Sequence, residues 1–551
     1  MEGINKKIGI LKKVVLLAFS KYKILYILSI ISILSILIET LAMSLLSSIS
    51  TRNYVIFDNK LKNLDPLLVF NIALLLFLAR FVTMSYIESR YVYVARLFQH
   101  YLSETTFNKI LNEKLREIEK QEIGYFISMS GDEASKCSEI LNSFLRALNT
   151  ITIGIFYFIM VLNYDIKFIY ILLIFFIVNY FFMKKSMKKL YKLGNESLIL
   201  SRNSGSVLLD AFNSLRTIKS FGVSNFIHKN YSEKMYEYQM TNFKITTRSI
   251  FNKIFPVIIL FTLLGIYVFV DIYYVKKLNI TYLLALFFML MRLLTIIGDL
   301  FQTSSTVISS LKLTNDILDF SQKENIKRIG DKLNHVDKIE IKGISFGYTA
   351  NNILFKNLNL LFTKGNSYAI IGKTGSGKSS LLDLIMNFNI PNEGVIEINE
   401  INALKYDEND FVNKILYVGQ ESMIFNDSIL HNLQMDNIYD LNKINKMLQI
   451  AKIFDTVYAF DEGLNYKLNY RGTNISGGQK QRLNIARALL REPDVLILDE
   501  SVNALDSETR KSLVIDILKE YEHKIIIFVT HDKDILNLVN HVYDLDKLKS
   551  I

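Results

Sequence analysis

Six apolar stretches mark the first 311 residues, at roughly 24–51, 66–87, 147–164, 166–183, 254–274 and 278–298. A helix needs about 20 apolar residues to cross a hydrocarbon core about 30 Å thick, so each stretch predicts a membrane span. The turns at 163–167 and 271–278 are short, whereas residues 88–146 and 184–253 are long, charged and poor in Gly and Pro. Those two segments predict helices that leave the membrane, run into the cytoplasm and return, as arms able to reach a cytoplasmic partner domain. An amphipathic piece at residues 8–19, GILKKVVLLAFS, predicts a helix along the inner membrane surface. The first apolar run is too long for the core of a cleavable signal peptide and reads as a retained span.

Residues 321–337, SQKENIKRIGDKLNHVD, are polar and read as a linker. From Lys338 the pattern changes to short runs, IEIKGISFGY, YAIIG, GVIEIN, ILYVG, VLILDE and KIIIFVT, that alternate with helical segments. That alternation predicts an α/β domain with a largely parallel sheet. The predicted organisation is an all-α transmembrane domain of six helices with long cytoplasmic extensions over residues 1–320, the linker, and an α/β domain over 338–551.

Charge and composition sharpen this picture. Half of the 551 residues are hydrophobic and the mean hydropathy is +0.24, ordinary for a partly membrane-embedded chain. A net charge of +11 would suit a nucleic-acid binder. However, Lys6, Lys7, Lys12, Lys13, Lys21 and Lys23 precede the first apolar run, and Lys184, Lys185, Lys188, Lys189 and Lys192 follow the fourth. Those are the places where cytoplasmic ends of spans carry positive charge, so nucleic acid is set aside as a partner. One cysteine, Cys137, rules out an internal disulfide.

Chemistry concentrates in the carboxy-terminal domain. GKTGSGKS at 372–379 follows the strand YAIIG and fits the phosphate-binding loop G-x-x-x-x-G-K-[ST]. Gly372, Lys373, Thr374, Gly375, Ser376 and Gly377 wrap backbone N–H groups around phosphates at a helix amino terminus, and Ser380 completes the nucleotide-binding set. Lys378 reaches the β- and γ-phosphates, and the Ser379 hydroxyl ligates magnesium. VLILDE ends in Asp499 and Glu500, one carboxylate for the magnesium shell and one to orient an attacking water.

Between these motifs, ISGGQKQRLNIARALL at 475–490 resembles the signature sequence of the ATP-binding cassette family, and further elements follow in that family's order. The resemblance implies an α/β P-loop ATPase using ATP and Mg2+. It implies that Tyr348, in FGYTANN, stacks on adenine. Gln420, in YVGQESMIFNDSI, links the ATP site to the membrane domain and stands at the metal. His531, in VTHD, contacts the γ-phosphate; with Glu500 and Gln420 it makes the implied catalytic set. Asp506, in ALD, belongs to the loop after the catalytic carboxylate. Ser476, Gly477, Gly478 and Gln479 of the signature close over the γ-phosphate held by Lys378 of a second subunit. A homodimer with two competent sites is the simplest reading, and a heterodimer with a degenerate partner is the alternative. The chain departs from the family at Lys467 and Tyr470, where exporters commonly carry glutamates, at Ser-Val-Asn after Glu500, and at Asp532, where a basic residue is common.

Six spans followed by one ATPase domain look like an exporter half-transporter rather than an importer. Glu39, Arg80 and Arg292 lie inside the first, second and sixth spans, each about 20 Å below the outer boundary at 1.5 Å per residue, counted from Arg52, Asp65 and Lys277. Facing lipid, each would cost at least about 2.5–3.5 kcal/mol. One reading is a buried Glu39–Arg80 pair that joins the first two spans. In the other, pairing leaves one arginine over, and two copies enclose a positive cavity suited to an anionic headgroup. ILIETLAMSLL, FLARFVTMSY and FMLMRLLTIIGDL are similar to the corresponding spans of bacterial lipid-linked oligosaccharide flippases, whose cavity arginines engage a pyrophosphate. The resemblance implies a short outer-face helix at 52–65, for which an exposed loop is the alternative.

The expected function is therefore ATP-driven export or flipping of a lipid-linked oligosaccharide or other anionic lipid across the bacterial inner membrane, with the ATPase domain in the cytoplasm. The alternative is a peptide or multidrug exporter. No peptidase domain precedes the first span, which argues against the leader-cleaving kind. A soluble cassette ATPase acting on DNA or the ribosome is disfavoured by the spans.

Overall fold

The structure, a computed structural model, describes residues 2–51, 65–164, 168–270, 273, 280–322, 330–349 and 352–548. It divides into two compact units, Met1–Glu113 with Glu117–Asn325, and Ile326–Ile551 with Lys114–Arg116.

The first unit is helical: α1 (Glu2–Lys21), α2 (Ile24–Thr51), α3 (Pro66–Asn112), α4 (Leu115–Glu119), α5 (Ile123–Ser128), α6 (Ala134–Tyr164), α7 (Phe168–Asn213), α8 (Leu215–Ser220), α9 (Ser224–Val270) and α10 (Ile280–Gln322). The six apolar stretches fall on α2, α3, α6, α7, α9 and α10. Among the described residues four of these, α2, α3, α7 and α9, are long and apolar enough on their own to cross a membrane. The start of α3 is written in its first residues: Pro66 takes the first helical position, where no N–H is needed, and Asp65 accepts from the Leu67 N–H at 3.1 Å.

Both long charged segments form paired helical arms, as expected. Each bend holds short helices that sequence reading did not anticipate, α4 and α5 in one and α8 in the other. Residues 52–64 of the proposed outer helix, parts of the turns at 163–167 and 271–278, and residues 323–329 of the linker lie outside the described residues.

The apolar face of α1 packs on protein: Val14 and Ala18 are fully buried in a cluster with Leu25, Phe98, Cys137, Leu141 and Leu318. Lys13 on its polar side pairs with Asp319 of α10 at 3.1 Å. One side of α1 thus joins the helix bundle, while Leu16 stays exposed.

Close approach and charge then lock the arms. A Cβ on Gly194 of α7 would stand 2.0 Å from the Ser309 carbonyl oxygen of α10, so only glycine fits that crossing. The π-helical turn Met129–Glu133 leads into α6, and the Glu133 side chain is wholly buried. It accepts from Arg202 of α7 at 2.7 and 3.1 Å. Arg202 also reaches Asp316 of α10 at 3.3 Å and lies over the Tyr125 ring at 4.4 Å. Burial raises the Glu133 pKa from its ordinary value, and Arg202 partly offsets this.

The second unit runs β1 (Lys338–Thr349), β2 (Asn352–Thr363), β3 (Ser367–Ile371), α11 (Lys378–Ile385), β4 (Glu393–Ile398), β5 (Ile401–Asn402), α12 (Glu408–Lys414), β6 (Ile415–Val418), α13 (Ile429–Gln434), α14 (Leu441–Ile450) and α15 (Phe454–Tyr458). It continues through α16 (Gly477–Leu490), β7 (Val495–Asp499), α17 (Ser507–Glu520), β8 (Ile525–Val529), α18 (Lys533–Leu536), β9 (His541–Asp544) and α19 (Leu545–Leu548).

Its strands make an antiparallel sheet ordered β2-β1-β4-β5 and a parallel sheet ordered β6-β7-β8-β3-β9. VLILD and IIIFV are buried at every position, which is why they read as unbroken apolar runs. The parallel order sets the carboxyl ends of β6, β7, β8 and β3 side by side. Gln420, Asp499 with Glu500, His531 and the phosphate loop follow those four ends, so segments far apart in sequence meet at one sheet edge.

Candidate functional site

The phosphate loop turns between β3 and α11. Gly377 has φ +91°, and a Cβ there would lie 2.7 Å from the Phe355 ring, so glycine is required on both counts. It caps α11 with no side-chain acceptor, leaving the helix's first N–H groups open to an anion. The Ser376 hydroxyl is buried without a partner among the described residues. Ser379 is exposed, as are Lys373, Thr374 and Gly375. Lys378 folds back on the loop, donating to the Gly372 carbonyl at 2.6 Å, and its ammonium lies 3.3 Å from His531 Nε2. The Lys373 N–H donates to Asp546 of α19 at 2.8 Å. Tyr348, half-exposed on β1, places its hydroxyl 3.1 Å from the Ser380 hydroxyl.

Across the sheet edge, Asp499 is buried and accepts from the Tyr417 hydroxyl at 2.9 Å. Burial raises its carboxyl above the usual carboxylate range and the neighbouring Glu500 adds to this, while Tyr417 and Lys378 pull it down. Glu500 sits at φ +48°, a left-handed conformation that costs a non-glycine residue about 1–3 kcal/mol and recurs at functional positions. Its carboxylate accepts from Gln420 and Asn503, each at 3.4 Å. Loop, lysine, histidine and paired carboxylates thus face one space, with an anion-binding helix terminus on one side and acidic groups on the other.

The signature segment is built differently. Ser476 caps α16 by accepting from the Gln479 N–H at 3.2 Å, while Gln479 accepts from the Ser476 N–H at 2.8 Å, a reciprocal capping box. Ser476 and Gly477 are exposed, Gly478 is partly covered, and among the described residues no hydrogen bond joins this segment to the phosphate loop. Asp506 caps α17 by accepting from Thr509 at 2.9 Å, a bond that lowers its pKa.

Sequence reading missed several residues that hold these parts in place. Tyr417 gave no signal, because its partnership with Asp499 exists only once β6 lies beside β7. Arg487 of α16 is buried and donates to the Asn432 and Met423 carbonyls at 2.6 and 2.9 Å, tying the segment after Gln420 to the signature helix. Burial lowers its pKa to about 10. Arg510 pairs with Asp532 and donates to the Leu505 carbonyl at 2.9 Å, joining the loop after Glu500 to the residue after His531.

In the helical unit the three intramembrane charges meet. Glu39 accepts from Arg80 Nε at 3.0 Å and from Arg292 Nη2 at 3.0 Å, and the Tyr157 hydroxyl stands 3.4 Å away. Neither arginine is left over, which corrects the expectation of one pair and one spare: a single carboxylate serves both. Glu39 and Arg80 keep only 6% and 7% of their side-chain surface, whereas Arg292 keeps 44%.

Two family models match the chain, the ABC transporter transmembrane region over residues 29–298 and ABC transporter over residues 355–503. Similar proteins include the heterocyst differentiation ATP-binding protein HepA of Nostoc sp., 30% identical over 344 residues, 59% of this chain and 54% of that protein. Another is the Lactococcin-G-processing and transport ATP-binding protein LagD of Lactococcus lactis subsp. lactis, 27% identical over 367 residues, 65% and 52% of the two chains. The chain spans about half the length of these relatives. The structure of a bacterial Atm1-family ABC exporter with ATP bound shares the fold, with a TM-score of 0.82 over 95% of this chain and 94% of that one at 20% identity.

Proposed function

We infer that this chain, which carries the membrane and ATPase domains of an ABC exporter half-transporter, is one subunit of an ATP-driven exporter. The observation that carries the reading is the meeting of Lys378, His531, Asp499 and Glu500 at the edge of one parallel sheet. The open N–H groups of α11 and the Lys378 ammonium hold the triphosphate, and Tyr348 offers its ring to the base. Glu500 orients the attacking water, and His531 stands at the γ-phosphate.

The donor set fits Mg2+: the Ser379 hydroxyl, the Asp499 carboxylate and the Gln420 amide would hold it. Mg2+ is ordinarily held by one or two protein carboxylates and shares its shell with phosphates and waters. When bound, the ion neutralises phosphate charge.

The exposed amino terminus of α16 serves the γ-phosphate of a second subunit, so two chains make the working unit, two copies of this one in the simplest case. ATP does work by binding the closed pair better than the open one. Glu500→Gln should bind ATP, lose turnover and accumulate closed dimers on size exclusion. Native turnover in that variant would sink the assignment.

The cargo we propose is an anionic amphiphile, with a lipid-linked oligosaccharide as the first candidate. Two guanidinium groups against one carboxylate leave one positive charge per chain, and Arg292 is its exposed end. The test is the ATPase rate in liposomes with and without a polyprenyl-pyrophosphate oligosaccharide, for the native chain and Arg292→Ala. Lipid stimulation that disappears in the variant, with basal turnover retained, supports this cargo. No lipid response, or one indifferent to Arg292, favours peptide export, the second reading, which the similarity to LagD supports.

A further inference from the structure

Helix α7 begins as an apolar span and ends as a charged arm, and one face runs unbroken through the change. Tyr170, Ile174, Ile177 and Phe181 are exposed and spaced four, three and four residues apart, the spacing that keeps side chains on one side of a helix. Lys184, Lys188 and Lys192 continue that line, and Lys185 and Lys189 flank it. At 100° per residue the five lysines fall within an arc of about 140° and cover about 12 Å of helix. The opposite side is closed: Met183, Ser186, Leu190 and Leu193 are buried. Lys192 has Glu196 at 3.7 Å, but Lys184, Lys185, Lys188 and Lys189 are exposed and make no ion pair among the described residues.

Marking the inner side of a membrane needs positive charge in the loop but not on one helix face. Four uncompensated ammonium groups packed this closely repel one another, and the stripe lies on the face whose preceding turns present exposed apolar side chains at membrane depth. We propose that the lysine stripe of α7 is a binding site for anionic lipid headgroups of the inner leaflet. The acyl chains lie along Tyr170, Ile174, Ile177 and Phe181, and the phosphates along Lys184, Lys185, Lys188 and Lys189. The proposal rests on the chain spanning a membrane and is independent of the exported cargo. Each lysine near an anionic surface strengthens binding by about fivefold.

The test uses the full chain in nanodiscs of phosphatidylcholine with one-tenth phosphatidylglycerol, reading the lipid that stays bound by native mass spectrometry. Phosphatidylglycerol should be enriched over its bulk fraction. Neutralising Lys184, Lys185, Lys188 and Lys189 to Gln should reduce that enrichment by at least about fivefold. Changing the same four to Arg should preserve it, and Lys229→Gln with Lys234→Gln, elsewhere on α9, should leave it unchanged. In case the Gln variant fails to insert, the native chain alone decides: enrichment should fall as NaCl rises from about 50 to 500 mM, because exposed charges are screened, and inorganic phosphate at equal ionic strength should compete no better than chloride. Native enrichment that ignores salt, or a Gln variant that retains it, overturns the proposal. So does enrichment lost only together with dimerisation, which would put a second subunit on this face.

Discussion

Replacing Glu39 by Gln tests how the intramembrane charges are arranged, because the three possible single changes have unequal costs. Glu39→Gln removes the carboxylate that accepts from both guanidinium groups. Arg80, with 7% of its side chain exposed, would remain charged and uncompensated, a loss of about 3–5 kcal/mol. Arg292, 44% exposed, can turn toward water and adds only about 0–1 kcal/mol. Arg80→Gln is milder, since Glu39 keeps Arg292 at 3.0 Å and Tyr157 at 3.4 Å; losing one charge-assisted bond costs about 1.5–3 kcal/mol. Arg292→Gln leaves the buried Glu39–Arg80 pair intact and costs about 0–1 kcal/mol. The expected order of destabilisation is Glu39→Gln, then Arg80→Gln, then Arg292→Gln. Heating the purified variants and measuring the fraction that stays monodisperse gives that order without requiring reversible unfolding. An Arg292→Gln variant that melts as early as Glu39→Gln would refute the reasoning, as would a Glu39→Gln variant that melts with the native chain.

Three further changes probe the ATPase domain. Tyr417→Phe removes a hydrogen bond that favours ionised Asp499, so its already raised pKa rises further; activity that needs the carboxylate is lost as pH falls, and the acid limb of the ATPase profile should move to higher pH by up to about one unit. The linked stability runs the other way, since a raised carboxyl stabilises the fold at low pH and loses that contribution as pH rises through it; an acid limb that stays put or moves down would contradict the assignment. Arg510→Ala cuts the tie between the Leu505 carbonyl and Asp532 and should lower kcat with KM for ATP little changed, with partial rescue by Arg510→Lys; a pure KM effect would count against a positioning role. Arg487→Leu leaves the Asn432 and Met423 carbonyls without their donor and should cost about 2–3 kcal/mol, read as a lower denaturation midpoint for the ATPase domain; an unchanged midpoint would show the bonds to be replaceable by water.

What could be read in advance was whatever a single segment carries. The alternation of short apolar runs with helices, and the order of loop, signature and carboxylates, placed the ATPase domain because each motif is local, and strands buried on both faces announce themselves as VLILD and IIIFV do. The arms were legible from length and charge. Partnerships were not, because they are properties of neighbouring elements: Glu39 bridging two arginines needs α2 beside both α3 and α10, and Tyr417 meets Asp499 only through the pairing of β6 with β7.

Yet one partnership left a trace. Asp532 stood out because a basic residue is common after the histidine, and its partner Arg510 lies 22 positions earlier on α17. An acidic residue beside His531, with Lys378 only 3.3 Å from the ring, would weaken the site's attraction for phosphate unless a cation neutralised it. Arg510 does so while also holding Leu505. A departure from a family's pattern at a charged position therefore points to a compensating charge elsewhere, and the compensating residue, rather than the odd one, is the place to mutate first.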